Sequence, residues 1–398
     1  DRVYAFFETG KLVALNHDGS EAWVRNLVDE FGEFEVRIGL ASSVAQTADS
    51  VFVLVDHEGP SYLLAVDKVT GKTKWQTERF SRQSYASPIV LDICGQPQIV
   101  VSSAGSVDGY DPATGEQLWT MEGVGGNRST TPLPFGDSRF LISASPGMHD
   151  EQLDEAKESN FAMQVVKTDE GYETKVLWKV AKAMPSFGSP MVHQGLAYWV
   201  NNVGVLYCFD AETGETVYTK RSGQLCWATP LGLGDHIYLF GKDGLTTVIA
   251  AGRDFKIIAK NELIEGATEV GEADVRRRET QGHEHGGGGS APDSAETKAD
   301  GEWPAEGATQ EQPVRGGGRP EGSSRGGDSQ EEGGAPRTRD GRTFADPIQY
   351  GYAAVNGSLV IRTGGKVFCL RNGATAPAGI KAVKVSAADH SADQGGER

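Results

Sequence analysis

One motif sets the architecture of this chain, and its fullest copy reads Ala65-Val66-Asp67-Lys68-Val69-Thr70-Gly71-Lys72-Thr73-Lys74-Trp75. We call it the repeat motif. Further copies occupy residues 109–119 and 208–218, the latter with Tyr in the last place, and a shorter variant occupies residues 14–23. Recurrence at intervals of roughly 40 to 50 residues is typical of proteins built from repeated structural units.

Each copy of the repeat motif predicts a strand, a tight turn and a second strand. The Asp67 carboxylate is placed to accept hydrogen bonds from turn amides, and Gly71 supplies the positive φ that a side chain resists. The closing aromatic residue lies on the second strand, where we expect it to dock onto a neighbouring unit. The predicted docking aromatics are Trp23, Trp75, Trp119, Trp178 and Tyr218.

A second pattern precedes each copy and completes the unit. A small residue, a Ser or Thr and a Pro lead into an apolar strand, which a Gly-bearing turn ends. Each unit therefore has four short strands, A to D, joined by hairpins, which is the pattern of a β-propeller blade. The steps are Ala86-Ser87-Pro88, Thr130-Thr131-Pro132, Gly188-Ser189-Pro190 and Ala228-Thr229-Pro230.

The repeat motif resembles the tryptophan-docking motif of pyrroloquinoline-quinone-like (PQQ-like) propeller repeats. Such repeats occur in quinoprotein dehydrogenases and in a propeller lipoprotein that helps to assemble outer-membrane proteins. The opening residues 1–15 are similar to bacterial extracytoplasmic proteins with PQQ-like repeats and no known activity. The resemblance covers about residues 1–265 and 345–373, and it implies export from the cytoplasm and eight blades in the complete protein.

The strand pattern predicts an all-β propeller with seven visible units. The first unit begins at strand B and the last ends near strand C, so we expect a fragment that lacks a strand A and a further blade. The predicted organisation is blades over 1–265, an insertion over 266–342, a final blade over 343–373 and a tail over 374–398.

The insertion interrupts the strand pattern with Pro, Gly, Ser, Glu and Arg. Such a segment buries too little apolar surface to offset its ordering entropy, so we predict disorder. His283 and His285 lie in this Gly-rich tract and are interpreted as chance composition, since two His there would form only an unshaped metal site. A shorter excursion at residues 148–157 predicts a short surface helix.

Composition excludes several function classes. A formal net charge of −17 argues against nucleic acid or an anionic membrane surface as a partner. No apolar run is long enough to span a bilayer. The oligomeric state is left open.

The chain shows little sign of enzyme chemistry. A quinone site, as the resemblance describes it, needs adjacent cysteines over the cofactor, a Trp floor, calcium ligands and a catalytic Asp. The four cysteines are scattered. Trp199 and Trp227 are candidates for the Trp beneath the cofactor, but no other residues of such a site accompany them in the sequence. Serine-hydrolase elbows, zinc-protease motifs and phosphate loops are missing. We predict no catalytic residues, no metal and no cofactor, with pyrroloquinoline quinone and calcium as the alternative.

The propeller geometry predicts where a ligand would bind. Because the A strands line the axis, residues just before each Ser/Thr-Pro step converge at one mouth of the channel, where they either bind a ligand or pack the inner loops. We predict a non-enzymatic scaffold that binds protein or peptide partners outside the cytoplasm; the alternative is a quinoprotein-type oxidoreductase or a degenerate relative that binds pyrroloquinoline quinone in the channel. The candidates are Arg37, Tyr85, Asn127, Arg128, Phe187, Trp227 and Tyr350.

Overall fold

The fold is taken from a computed structural model. It describes residues 2–36, 39–126, 129–146, 152–185, 187–201, 203–242, 244–263, 351–363 and 366–371. All of them belong to one compact unit. The predicted insertion at 266–342, with His283 and His285, and the tail at 374–398 lie outside the described residues. The domain boundaries therefore stay predictions.

Among the described residues, seven antiparallel sheets follow one another along the chain and form the blades of a propeller. Blade 1 contains β1 (Arg2–Phe6), β2 (Lys11–Asn16) and β3 (Glu21–Asn26). Blade 2 contains β4 (Ala45–Gln46), β5 (Ser50–Val55), β6 (Ser61–Asp67) and β7 (Thr73–Arg79). Blade 3 contains β8 (Ile89–Ile93), β9 (Gln96–Ser103), β10 (Gly105–Tyr110) and β11 (Gln117–Val124). Blade 4 contains β12 (Leu133–Gly136), β13 (Arg139–Ile142), β14 (Phe161–Thr168) and β15 (Gly171–Lys179).

The remaining blades continue the same order. Blade 5 contains β16 (Met191–His193), β17 (Leu196–Val200), β18 (Val205–Asp210) and β19 (Thr216–Arg221). Blade 6 contains β20 (Leu231–Leu233), β21 (His236–Phe240), β22 (Leu245–Ala250) and β23 (Ile257–Glu262). Blade 7 contains β24 (Gly351–Val355), β25 (Ser358–Arg362) and β26 (Val367–Arg371). The predicted all-β fold with seven units is confirmed, and the first and last units have three strands each within the described residues; the eight-blade ring stays a prediction.

Two short helices interrupt the strands in the part of the chain that the structure describes. They are α1 (Leu27–Phe31), which follows blade 1, and α2 (Leu153–Glu158), which lies between β13 and β14. The predicted excursion thus contains a helix. In the described part of the chain, no helix has both the length and the apolarity needed to cross a membrane.

The turns of the repeat motif form as predicted. Asp67 Oδ1 accepts hydrogen bonds from the backbone N–H of Val69 (3.1 Å) and Thr70 (2.7 Å). Gly71 has φ +73°, and its N–H donates to the Asp67 carbonyl (2.9 Å). The copies at Asp111 and Asp210 make the same side-chain bonds. The carboxylate and the glycine therefore fix the turn between strands C and D.

The Ser/Thr-Pro steps form hydrogen bonds between neighbouring blades. The N–H of Ser43 donates to Ser87 Oγ (2.9 Å), that of Thr131 to Ser189 Oγ (3.0 Å), and that of Ser189 to Thr229 Oγ1 (2.9 Å). Each hydroxyl thus accepts from the same position of the preceding blade. These bonds lie at the inner strands, where A strands of successive blades contact each other.

Apolar clusters fill each junction between successive blades, from blades 1 and 2 to blades 6 and 7. The cluster between blades 3 and 4 includes Trp119, Phe140 and Met163, all buried. Because burial of apolar surface is the main stabilising term in folding, these junctions carry most of the stability of the propeller.

The antiparallel order of each blade gives the propeller two faces. Strand A begins, B ends, C begins and D ends on one side, which we call the entry face. The hairpins between A and B and between C and D lie on the opposite side, which we call the turn face. The described channel-mouth residues, Tyr85, Phe187 and Trp227, precede A strands and therefore belong to the entry face.

Candidate functional site

Three predicted channel-mouth residues are described, and all three are half-buried: Tyr85, Phe187 and Trp227. The other four, Arg37, Asn127, Arg128 and Tyr350, lie outside the described residues. The proposed role of the whole set in ligand binding stays a prediction.

Phe187 and Trp227 form an aromatic pair across blades 5 and 6. Their ring centroids are 5.2 Å apart at an interplanar angle of 75°, an edge-to-face arrangement. Such geometry places the positive edge of one ring against the negative face of the other. The structure therefore brings two of the predicted mouth residues into direct contact.

Lys242 completes this group, although nothing in the sequence pattern singled it out. Its Nζ lies 4.9 Å from the centroid of the Trp227 ring, within the range of a cation–π interaction. The side chain is almost fully buried, and its backbone N–H donates to the Leu225 carbonyl (2.8 Å). The buried Lys242 amine thus belongs to the same group as the aromatic pair.

Three of the predicted docking aromatics contact the turn of the next blade. Nε1 of Trp23 donates to the Lys68 carbonyl (3.1 Å), that of Trp75 to Pro112 (3.0 Å) and that of Trp178 to Ala211 (3.1 Å). Their rings lie against Gly71, Gly115 and Gly214, where a Cβ would approach ring atoms to within 2.8, 2.5 and 2.6 Å. The energetic weight of these contacts stays a prediction.

The other two aromatics behave differently. Trp119 Nε1 donates to Gln98 Oε1 (2.7 Å) inside its own blade, and the ring lies 6.2 Å from that of Phe140 in blade 4. Tyr218 packs edge-on against Phe255 of blade 6, 5.6 Å between centroids. Both side chains are buried, so neither presents a surface to a ligand.

A cleft of about 1120 Å³ opens on the entry face beside blades 2, 3 and 4. Its floor is a buried ion network centred on Arg79. Nε of Arg79 donates to Asp56 Oδ1 (2.9 Å), and Nη1 donates to Asp108 Oδ2 (3.2 Å) and to the Tyr110 hydroxyl. The side chains of Arg79, Asp56 and Asp108 are 1%, 0% and 2% exposed. Each buried charge of this network is stabilised by an opposite charge, because an unpaired charge away from water is strongly unfavourable.

Burial and charge oppose each other at Arg79. Burial lowers the pKa of the guanidinium, but the Asp56 and Asp108 carboxylates raise it by more, so that its pKa lies above the ordinary value. Burial raises the pKa of the Tyr110 hydroxyl to about 12 in spite of the nearby guanidinium. The Arg79 guanidinium therefore stays charged, and the Tyr110 hydroxyl stays protonated, across the physiological range of pH.

The rim of the cleft combines one exposed aromatic ring with carboxylates. Phe80 is 84% exposed, and the Arg82 guanidinium lies 5.8 Å from its centroid. The exposed carboxylates of the lining come from three blades: Glu78, Glu122, Glu155 and Glu158. Sequence reasoning missed this site because its residues share no motif.

Metal ligands are not grouped in the part of the chain that the structure describes. There, no three His, Cys, Asp or Glu side chains are arranged to hold an ion. The predictions that the protein has no metal site and no cofactor stay predictions.

Comparison with solved structures gives matches of low identity. One is BamB from Moraxella catarrhalis, with 14% identity and a TM-score of 0.39, covering 65% of this chain and 87% of that one. Another is the computationally designed Ika8 protein, with 12% identity, a TM-score of 0.45, and coverage of 65% and 71%. A third is a europium-containing methanol dehydrogenase, with 11% identity, a TM-score of 0.35, and coverage of 63% and 71%.

A comparison with curated proteins gives no match. The family model described as outer membrane protein assembly factor BamB matches residues 1–140 and 163–254. It leaves out residues 141–162, which contain α2. Because the matched residues exceed half of the chain, the protein belongs to this family of PQQ-like β-propellers.

Proposed function

We propose that this protein is a non-enzymatic scaffold that binds a protein or peptide partner through its entry face, outside the cytoplasm. The observation that carries the proposal is that the aromatic pair Phe187–Trp227 and the cleft at Phe80 belong to the same face. Membership of the family named for an outer-membrane assembly factor supports both the kind of function and the location.

The chemistry of the entry face suits protein recognition. Aromatic and Arg side chains are enriched in protein interfaces, since they bury large areas with little loss of conformational freedom. Phe80 and Arg82 supply such a pair at the cleft, and Trp227 supplies a second aromatic group at the channel mouth. The blades hold these groups on a rigid sheet framework, which lowers the entropic cost of binding.

The test compares the two faces of the propeller. Tagged protein is incubated with envelope extract, and captured proteins are quantified for the entry-face variants Phe80→Ser and Trp227→Ala. The matched control is Val69→Ser, because Val69 is 69% exposed in a turn-face hairpin. We expect the entry-face variants to lose a partner that the wild type and the control retain. Equal capture by all folded variants would contradict the proposal.

We propose no cofactor for the chain. Calorimetric titration with pyrroloquinoline quinone, with and without calcium, tests this directly. We expect no saturable heat from the folded protein. Saturable, calcium-dependent binding would replace the scaffold by the quinoprotein alternative.

A further inference from the structure

We infer that the cleft beside blades 2, 3 and 4 binds a segment of the partner polypeptide in which basic side chains flank an apolar one. This inference rests on the proposed function and names the chemistry of the partner. Four features of the cleft support it: the carboxylates of the rim, the hydrogen bonds of Arg79 and Arg82, the exposed ring of Phe80 and the wall formed by α2.

Three of the four rim carboxylates have no ion-pair partner among the described residues. Glu78, Glu122 and Glu155 are exposed, and none forms an ion pair or side-chain hydrogen bond with any described residue. Glu158 differs, since Lys179 Nζ lies 3.2 Å from its Oε2. Three carboxylates on three blades therefore face one open volume, and each is without an ion-pair partner in the part of the chain that the structure describes. A cationic segment is the complementary partner.

The guanidinium groups of the lining are already engaged elsewhere. Arg79 is held by Asp56 and Asp108 in the floor. Arg82 donates to the carbonyls of Phe80 (3.2 Å) and Ala104 (3.2 Å) and to Ser106 Oγ (2.7 Å). Arg82 keeps its positive charge, since these acceptors are neutral, but the lining contains five carboxylates and two guanidinium groups, so its net charge is negative.

Phe80 gives the cleft its apolar contact. An 84% exposed ring costs solvation free energy that binding would recover, because burying a Phe side chain stabilises a complex by about 1.5–3 kcal/mol. The Arg82 guanidinium over its face orients the ring. The volume of about 1120 Å³ accommodates several side chains beside it.

The wall formed by α2 sets this chain apart from the family model, which does not cover residues 141–162. The wall is held firmly against blade 3, where Gly125 N–H donates to Ser159 Oγ (2.9 Å). Asn160 Nδ2 donates to the carbonyls of Ala144 (3.0 Å) and Ala156 (2.7 Å), which fixes the end of the helix. Glu155 is therefore presented at a fixed position.

The experiment measures fluorescence anisotropy of a labelled nonapeptide in which lysine alternates with leucine, added to the full chain. The test variant is Glu78→Gln/Glu122→Gln/Glu155→Gln. The matched control, Glu116→Gln/Glu170→Gln/Glu215→Gln, removes the same charge from exposed turn-face positions of blades 3, 4 and 5. We expect at least about a tenfold weaker Kd for the test variant and less than about a twofold change for the control.

Two further measurements sharpen the result. Raising the salt concentration should weaken binding to the wild type more than binding to the test variant, since screening acts on the removed charges. Phe80→Ser should weaken binding without changing the salt dependence. If the triple variant does not fold, the single variant Glu155→Gln, on α2, is measured in its place.

The outcomes separate this inference from the proposed function. No saturable binding to the wild type, or equal loss in both triple variants, would overturn the cleft as a site for basic segments. Either result leaves the scaffold proposal standing if capture of a partner still depends on the entry face. Partner capture that the entry-face variants leave unchanged would instead overturn the proposed function itself.

Discussion

The junction between blades 2 and 3 and the junction between blades 3 and 4 are built differently. In the first, Trp75 of β7 crosses to the turn of blade 3, where its ring covers Gly115 and its Nε1 donates to Pro112. In the second, Nε1 of Trp119 donates to Gln98 inside blade 3, its ring packs against Phe140 of blade 4, and the outer strands β11 and β15 contact each other.

The difference shows that the closing Trp of the repeat motif in one blade packs against the Thr-Gly turn of the repeat motif in the next blade. The Trp crosses to the next blade only where that blade contains the Thr-Gly turn. Blade 4 joins β14 and β15 through the two-residue turn Asp169-Glu170, which offers no such glycine. Trp119 therefore packs inward, against Phe140.

The largest effect is expected from Trp75→Ala. Removing the ring opens a cavity and leaves the turn of blade 3 uncovered, so the free energy of unfolding should fall by about 3–5 kcal/mol. Urea unfolding measures the loss, and hydrogen exchange should speed up at Gly115. With Trp119→Ala, exchange in the turn Asp169-Glu170 should stay unchanged. An unfolding midpoint that Trp75→Ala leaves in place would contradict the docking prediction.

Gly115→Ala tests the other side of the same contact. The new methyl group would meet Trp75 at 2.5 Å in a backbone with φ +76°, so strain and overpacking together should cost about 2–4 kcal/mol. The control is Gly123→Ala, which has φ +79° and open space, and should cost about 1 kcal/mol. Thermal unfolding compares them; equal losses would mean that the Trp75 contact adds nothing.

Trp119→Phe probes the inward arrangement. The variant keeps a ring but removes the hydrogen bond to the buried Gln98 side chain. Because Gln98 Nε2 already lacks a partner among the described residues, the free energy of unfolding should fall by about 2 kcal/mol. The double variant Trp119→Phe/Gln98→Leu should recover much of this loss. Trp75→Phe should cost less than about 1 kcal/mol for the hydrogen bond, because water reaches Pro112. A double variant no more stable than the single one would refute this account.

The smallest effect concerns the hydroxyls between blades. Ser189→Ala removes the acceptor for Thr131 N–H and should cost about 1 kcal/mol. Thr131→Val is the matched control, since the Thr131 hydroxyl bonds to no described residue, and it should change stability by less than about 0.5 kcal/mol. Chemical denaturation resolves the difference; a larger loss for Thr131→Val would reverse the assignment.

Local chemistry explains what the sequence could predict. Asp67 and Gly71 act within their own turn, so their roles can be inferred from six consecutive residues. The number of blades follows from the same repetition. The inward turn of Trp119 was not predicted, since it depends on the C–D hairpin of the next blade, where the repeat motif is absent and no ring lies over Gly171.

The cleft could not be predicted for a related reason. Glu78, Glu122 and Glu155 come from three blades, and only the curvature of the propeller brings them to one opening. Lys242 lies against Trp227 beside the isolated bridge between Cys226 and Gly241, a contact that no linear pattern encodes. Signals of this kind emerge from tertiary structure alone.

The docking of the tryptophans also follows the order in which the chain is synthesised. Trp23, Trp75 and Trp178 bond to carbonyls that lie 45, 37 and 33 residues later in the chain. Since a polypeptide is made from its N-terminus, each of these blades is synthesised before the turn that its indole requires. A growing chain therefore carries an exposed indole at its newest complete blade until the next turn emerges, and a chain interrupted there keeps it.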